Sequence, residues 1–152
     1  MQLIERYTGA HRIEERKDGN YFRINSVEFA LWLEANGLRN GSRQKRVPTW
    51  AFTLPTNLQL ALLAGYLDGD GYARRSELVA KSANPELLSD MQVLETLSGI
   101  HTGLLRTQEV QCDFGGTVAP KCYVTHQVAF TGLNQLRRHL SHRLRSRLRP
   151  VE

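Results

Sequence analysis

Two aspartates flanked by glycines, Asp68-Gly69-Asp70-Gly71, are the residues of this 152-residue chain whose types and spacing best suit chemistry. Carboxylates two apart can share one hard cation, and on their own these could begin a calcium loop. The EF-hand pattern fails two residues later, because Tyr72 and Ala73 stand where a ligand and the turn glycine are needed. The stretch before the acids is as informative. Residues 51–67 carry no charge, and from Leu58 to Leu67 nearly every side chain is apolar. A helix beginning near Thr56 as its cap would be hydrophobic around its circumference and would have to be buried on all sides. Two acids at its C-terminal end oppose the helix dipole and face desolvation. They either satisfy backbone N–H groups in a glycine turn or hold a divalent cation that offsets the electrostatic cost.

Other reactive groups are fewer. Cys112 and Cys122 bracket a Gly-containing loop and could ligate zinc with His101 or His126, but no Cys-x-x-Cys pair supports this, and hairpin thiols are the simpler reading. His126 falls on the apolar side of its strand, where a hydrogen-bonded core histidine is expected. His139 and His142 lie in an arginine-rich segment and read as its solvated or phosphate-facing surface.

The elements that must position these groups follow from periodicity and punctuation. Residues 2–7 and 11–16 are candidate strands, and Lys17-Asp18-Gly19-Asn20 is a turn leading into Tyr21-Phe22-Arg23-Ile24. Ser26 is placed to cap a helix over 27–36 that Gly37 closes. After the acids, 72–75 and 77–82 form a tight hairpin. Asn84-Pro85 opens a helix to about Ser98, with Leu87, Met91, Leu94 and Leu97 at helical spacing. Residues 103–111 and 121–130 read as strands, and a final helix over 132–149 carries Leu133, Leu136, Leu140, Leu144 and Leu148 as a core stripe. Strand alternation turns Val124, Val128 and Phe130 inward and Lys121, Tyr123, Thr125 and Gln127 outward. In 77–82 it turns Leu78 and Ala80 inward and Arg75, Glu77, Val79 and Lys81 outward.

Charge narrows the partner. Twenty Lys and Arg against fifteen Asp and Glu give a formal net charge of +5, which favours a polyanion. The excess is concentrated: no acid lies between Glu34 and Asp68, nor from Phe114 to Val151, while arginines accumulate in both intervals. No run of eighteen apolar residues and no signal-peptide pattern is present, so an intracellular protein of the cytoplasm or nucleoid, or of an organelle, and no membrane partner, are expected.

Leu63-Ala64-Gly65-Tyr66-Leu67-Asp68-Gly69-Asp70-Gly71 resembles the signature helix of the LAGLIDADG homing endonucleases. Lys45-Arg46-Val47-Pro48 is similar to the Lys-x-Pro block that precedes the second signature helix in the intein-encoded branch. Residues 82–88 and 92–100 are similar to that branch's strand, helix and exit, so the resemblance covers about 43–133. It implies an α+β fold, αββαββα, with an antiparallel saddle-shaped sheet carrying helices on one face. It also implies a metal-dependent double-strand DNA endonuclease using Mg2+ or another divalent cation. On the matching positions, Asp70 is the metal-binding acid and the Gly69 carbonyl its neighbour ligand. Ala61 and Gly65 face a second signature helix, and Asp68 caps and orients the pair. The resemblance sets Arg74, Arg75, Lys81, Arg106, Lys121, Tyr123, Thr125 and Gln127 as the DNA-binding candidates. The family's catalytic lysine has no counterpart at Thr131, which leaves Lys81 and Lys121 as candidates.

One signature motif is present where the two-motif members have two. Residues 1–50 then form a ββα-like extension resembling the end of a preceding half, and 51–152 the endonuclease domain. Three readings stay open: a homodimer, a chain paired with a partner that supplies the other motif, or a non-catalytic DNA-binding regulator. The last residues, Arg149-Pro150-Val151-Glu152, lack the His-Asn ending of a splicing intein, so splicing by this chain alone is not expected.

Overall fold

The computed structural model describes residues 13–15, 22–39, 41–112, 121–131 and 133–148. The chain divides into two compact units, Met1–Gly41 and Ser42–Glu152, a boundary nine residues before the one expected. The earlier boundary has a visible cause, since residues 45–47 are tied into the second unit. Asn84 Nδ2 donates to the Lys45 carbonyl at 2.6 Å, and the Arg46 guanidinium grips Asp90 through two bonds of 2.6 and 2.7 Å.

In the first unit, β1 (Ile13–Glu15) pairs antiparallel with β2 (Phe22–Ile24), and α1 (Val27–Ala35) follows. Ser26 caps α1 as expected, its hydroxyl accepting from the Phe29 N–H at 3.1 Å, and Gly37 takes the left-handed conformation that ends it. The candidate strand 2–7 lies outside the described residues, as does the loop 113–120.

The second unit opens with a 3-10 turn at Thr49–Thr53 and then α2 (Thr56–Asp70). Thr56 is the first helical residue rather than the cap, with Pro55 before it, and the helix ends at Asp70 with both aspartates in its last turn, as expected. The hairpin β3 (Gly71–Arg74) and β4 (Glu77–Ser82) comes next, then α3 (Pro85–Leu97), β5 (His101–Thr102), β6 (Arg106–Cys112) and β7 (Lys121–Thr131). The antiparallel sheet has the order β3-β4-β7-β5, with β6 also on β7. Its inner face contributes Leu78, Ala80, Val128 and Phe130 to the core shared with Leu60, Leu63 and Leu67 of α2, and Leu88, Met91 and Leu94 of α3. This is the α+β architecture the sequence predicts.

Four expectations are corrected. The predicted stripe on α3 is turned, because Leu88, Met91, Leu94 and Glu95 are the buried residues and Leu97 is exposed. Val124 is half exposed: β4 ends at Ser82 opposite His126, so no β4 neighbour flanks Val124. Val79 points to the outer face but is buried there between its register partners Tyr72 and Ala129. The last helix is broken into α4 (Asn134–Arg137) and α5 (His142–Arg145), although all five stripe leucines are buried. Ser141 causes the break. Its backbone is extended, and its N–H and hydroxyl both donate to the Asp68 carboxylate, at 2.9 and 2.7 Å.

Candidate metal and nucleic-acid site

The two faces of α2 have different fates. Gln59, Leu60, Leu63, Ala64 and Leu67 are buried in this chain, whereas Leu58, Ala61, Leu62, Gly65 and Gly69 form an exposed stripe at helical spacing. The helix expected to be buried on all sides is therefore buried on one. A Cβ placed on Gly65 or Gly69 would meet nothing within 4 Å, so the stripe is open to close approach by another backbone. Gly71 differs, because there a Cβ would fall 2.6 Å from the Leu67 carbonyl oxygen, and only glycine lets β3 leave the helix at this angle.

The two aspartates also divide their roles. Asp68 is half-buried and spent on Ser141, which ties the end of α2 to the C-terminal segment. Asp70 is exposed, and among the described residues its carboxylate takes no hydrogen bond. Only Asp70 is thus available to a ligand.

Register sets what stands beside it. Gly71 lies opposite Ala80, so the end of α2 is level with Lys81. Lys81 pairs with Gln127, and Gln127 with Arg106, which places these three in one row across the outer face of the sheet. The Lys81 ammonium sits 5.5 Å from the centre of the Tyr72 ring, a cation–π contact on the same face. Tyr66, one helical turn before Asp70, joins the helix end to the strand end. Its hydroxyl donates to the Lys81 carbonyl at 3.5 Å, and its pKa is raised by burial first and then by the nearby Asp70 charge. Sequence reasoning passed over Tyr66, although its four-residue spacing to Asp70 puts the two on one helix face.

The remaining candidates are dispersed. Arg74 is paired with Glu77, and Arg75 occupies the hairpin tip at φ 57°, a left-handed conformation uncommon outside glycine. Thr125 is half-buried and donates to the Gln108 carbonyl at 3.4 Å. Lys121 is six residues from Gln127 along β7, about 20 Å of strand, so it is not brought to the Asp70 end. The side chains of Lys121 and Tyr123 lie outside the described set. Thr131 pairs with His101 and donates to its carbonyl at 3.4 Å. His126 is half-buried rather than core, with Nδ1 3.0 Å from the Thr107 hydroxyl. Among the described residues no group of three or more His, Cys, Asp or Glu is clustered to hold a metal ion, and His101 and His126 stand in different rows of the sheet. The Cys112 and Cys122 side chains also lie outside the described set. No described helix is long and apolar enough to cross a membrane.

An open antiparallel sheet backed by helices, with an acid-tipped small-residue helix at its edge, defines a class that sequence comparison identifies directly. Residues 57–141 match the model of the LAGLIDADG-like domain, and the chain belongs to this family of homing-endonuclease type. It is 34% identical over 102 residues to an iron–sulfur cluster assembly SufBD family protein of Mycobacterium leprae, covering 64% of this chain and 12% of that one. Over 108 residues it is 31% identical to the replication factor C small subunit of Methanocaldococcus jannaschii, covering 68% of this chain and 6% of that one. It is also 37% identical over 70 residues to the DNA polymerase II large subunit of Thermococcus kodakarensis, covering 45% and 4%. The chain thus spans about an eighth or less of these curated relatives.

Proposed function

We propose that this chain is a metal-dependent double-strand DNA endonuclease whose active form pairs α2 with a second signature helix. The observation that carries the reading is the free Asp70 carboxylate beside the exposed Leu58, Ala61, Leu62, Gly65 and Gly69 stripe, level with the Lys81, Gln127 and Arg106 row. Asp70 and the Gly69 carbonyl are hard oxygen donors that suit Mg2+. One carboxylate is a half-site, and a second helix packed on the stripe supplies the other half. When bound, a divalent ion would activate water and stabilise the leaving oxygen. This chain's residues hold the duplex and set its register: Arg106 and Gln127 donate to phosphates or base edges, and Lys81 lies nearest the Asp70 end.

A second copy is the favoured partner, since a self-complementary helix face is always available to its own chain. Relatives with unrelated names share only a small part of their length with it, which favours an element carried inside host proteins, as inteins are. A non-catalytic regulator would have no use for a free acid at this position. Association tests the pairing. Gly65→Leu places a side chain where the backbones meet, and overpacking costs roughly 1–3 kcal/mol per chain. In sedimentation the parent chain should self-associate and the variant should shift towards monomer. A parent that stays monomeric at high concentration overturns the homodimer and leaves a partner chain as the source of the second helix.

A further inference from the structure

The groove on the sheet's outer face holds an acid where a polyanion is expected to lie. Arg74, Glu77, Arg106 and Gln127 line it around an apolar floor that includes Val79 and Ala129. Arg74 and Glu77 face each other across the β3–β4 hairpin, and the Glu77 carboxylate accepts from Arg74 Nε at 3.3 Å and from its Nη2 at 2.8 Å, both on Oε2. An exposed pair of this kind contributes little stability, so its geometry is the informative part. Glu77 occupies the Nε edge of the guanidinium and leaves the Nη1–Nη2 edge free. That edge has the two-donor spacing that reads O6 and N7 of guanine in the major groove. Glu77 also bars close approach of a phosphate, by repulsion.

We propose that Glu77 is a positioning residue that fixes Arg74 to read a guanine, so that it lowers overall DNA affinity while raising sequence selectivity. The inference rests on the DNA-binding reading above. Without Glu77 the guanidinium swings to the nearest phosphate, which trades base recognition for charge neutralisation. The apolar floor of Val79 and Ala129 suits a neighbouring base edge, a thymine methyl included.

The full chain, selected against a randomised duplex pool and titrated against one mixed-sequence duplex, tests this. The parent should enrich a guanine at one position of each half-site. Glu77→Gln should lose that preference, bind the mixed duplex roughly threefold to tenfold more tightly, and steepen the logarithmic salt slope by about 0.9. Glu86→Gln, the same charge change on the exposed start of α3, should do none of this. Arg74→Ala should also lose the guanine, and adding Glu77→Gln to it should leave selectivity unchanged. A guanine preference retained in Glu77→Gln, or an equal affinity gain in Glu86→Gln, overturns the inference and leaves DNA binding standing. A parent that binds no duplex overturns both.

Discussion

Asp70→Asn should abolish Mg2+-dependent cleavage of duplex DNA while affinity for the duplex stays within about tenfold of the parent. Asparagine keeps the side chain's shape and one carbonyl oxygen but removes the charge that holds a divalent cation. The change removes no contact of the fold, because the Asp70 carboxylate is exposed and takes no hydrogen bond among the described residues. Asp68→Asn is the contrast. Its carboxylate accepts from the Ser141 N–H and hydroxyl, so that substitution should register first in the packing of the C-terminal segment and in stability. Strand breaks on a supercoiled plasmid pool report cleavage, and a gel-shift titration reports binding. Cutting by Asp70→Asn at the parent's rate would remove Asp70 from the metal site. Loss of cutting together with loss of binding would assign it to holding the duplex.

The contrast between the two aspartates marks where reading the sequence stops. Local features are written in local residues: Ser26 caps α1, Asn84 caps α3 with Pro85 at its first position, and the signature nonapeptide falls on the end of α2. Interactions at long separation are not. The break at Ser141 depends on a carboxylate 73 residues earlier, and the leucine stripe over 133–148 is equally compatible with one helix or two. The row of Lys81, Gln127 and Arg106 depends on strand register, which alternation alone leaves open to a shift of two residues. Lys121 is a candidate because no lysine falls at Thr131; its strand is legible from alternation, and its level along the sheet is not. On α3 two apolar faces overlap, one through Leu87 and Leu97 and one through Leu88 and Met91. The true core face includes Glu95, a residue that pattern reading assigns to solvent.

Glu95 sets the second large effect. Its side chain is wholly inaccessible, and neither carboxylate oxygen has a hydrogen-bond partner among the described residues. Burial raises its pKa from 4.5 to about 9, so the folded chain carries the neutral acid at neutral pH. Between those two values the unfolded chain has released a proton that the folded chain keeps. Stability is therefore full below about pH 4.5 and falls as pH rises through 9, by at most about 1.4 kcal/mol per pH unit from this group. Glu95→Gln removes the titration at nearly constant volume. Urea unfolding at pH 5, 7 and 9 should show the parent losing stability relative to the variant at each step, with the largest gap at pH 9. Titrations common to both chains, those of the histidines included, cancel in the difference. A Glu95→Gln chain whose stability runs parallel to the parent's across this range would mean that the Glu95 carboxyl titrates as it does in water, and that the core of α3 opens to admit solvent there.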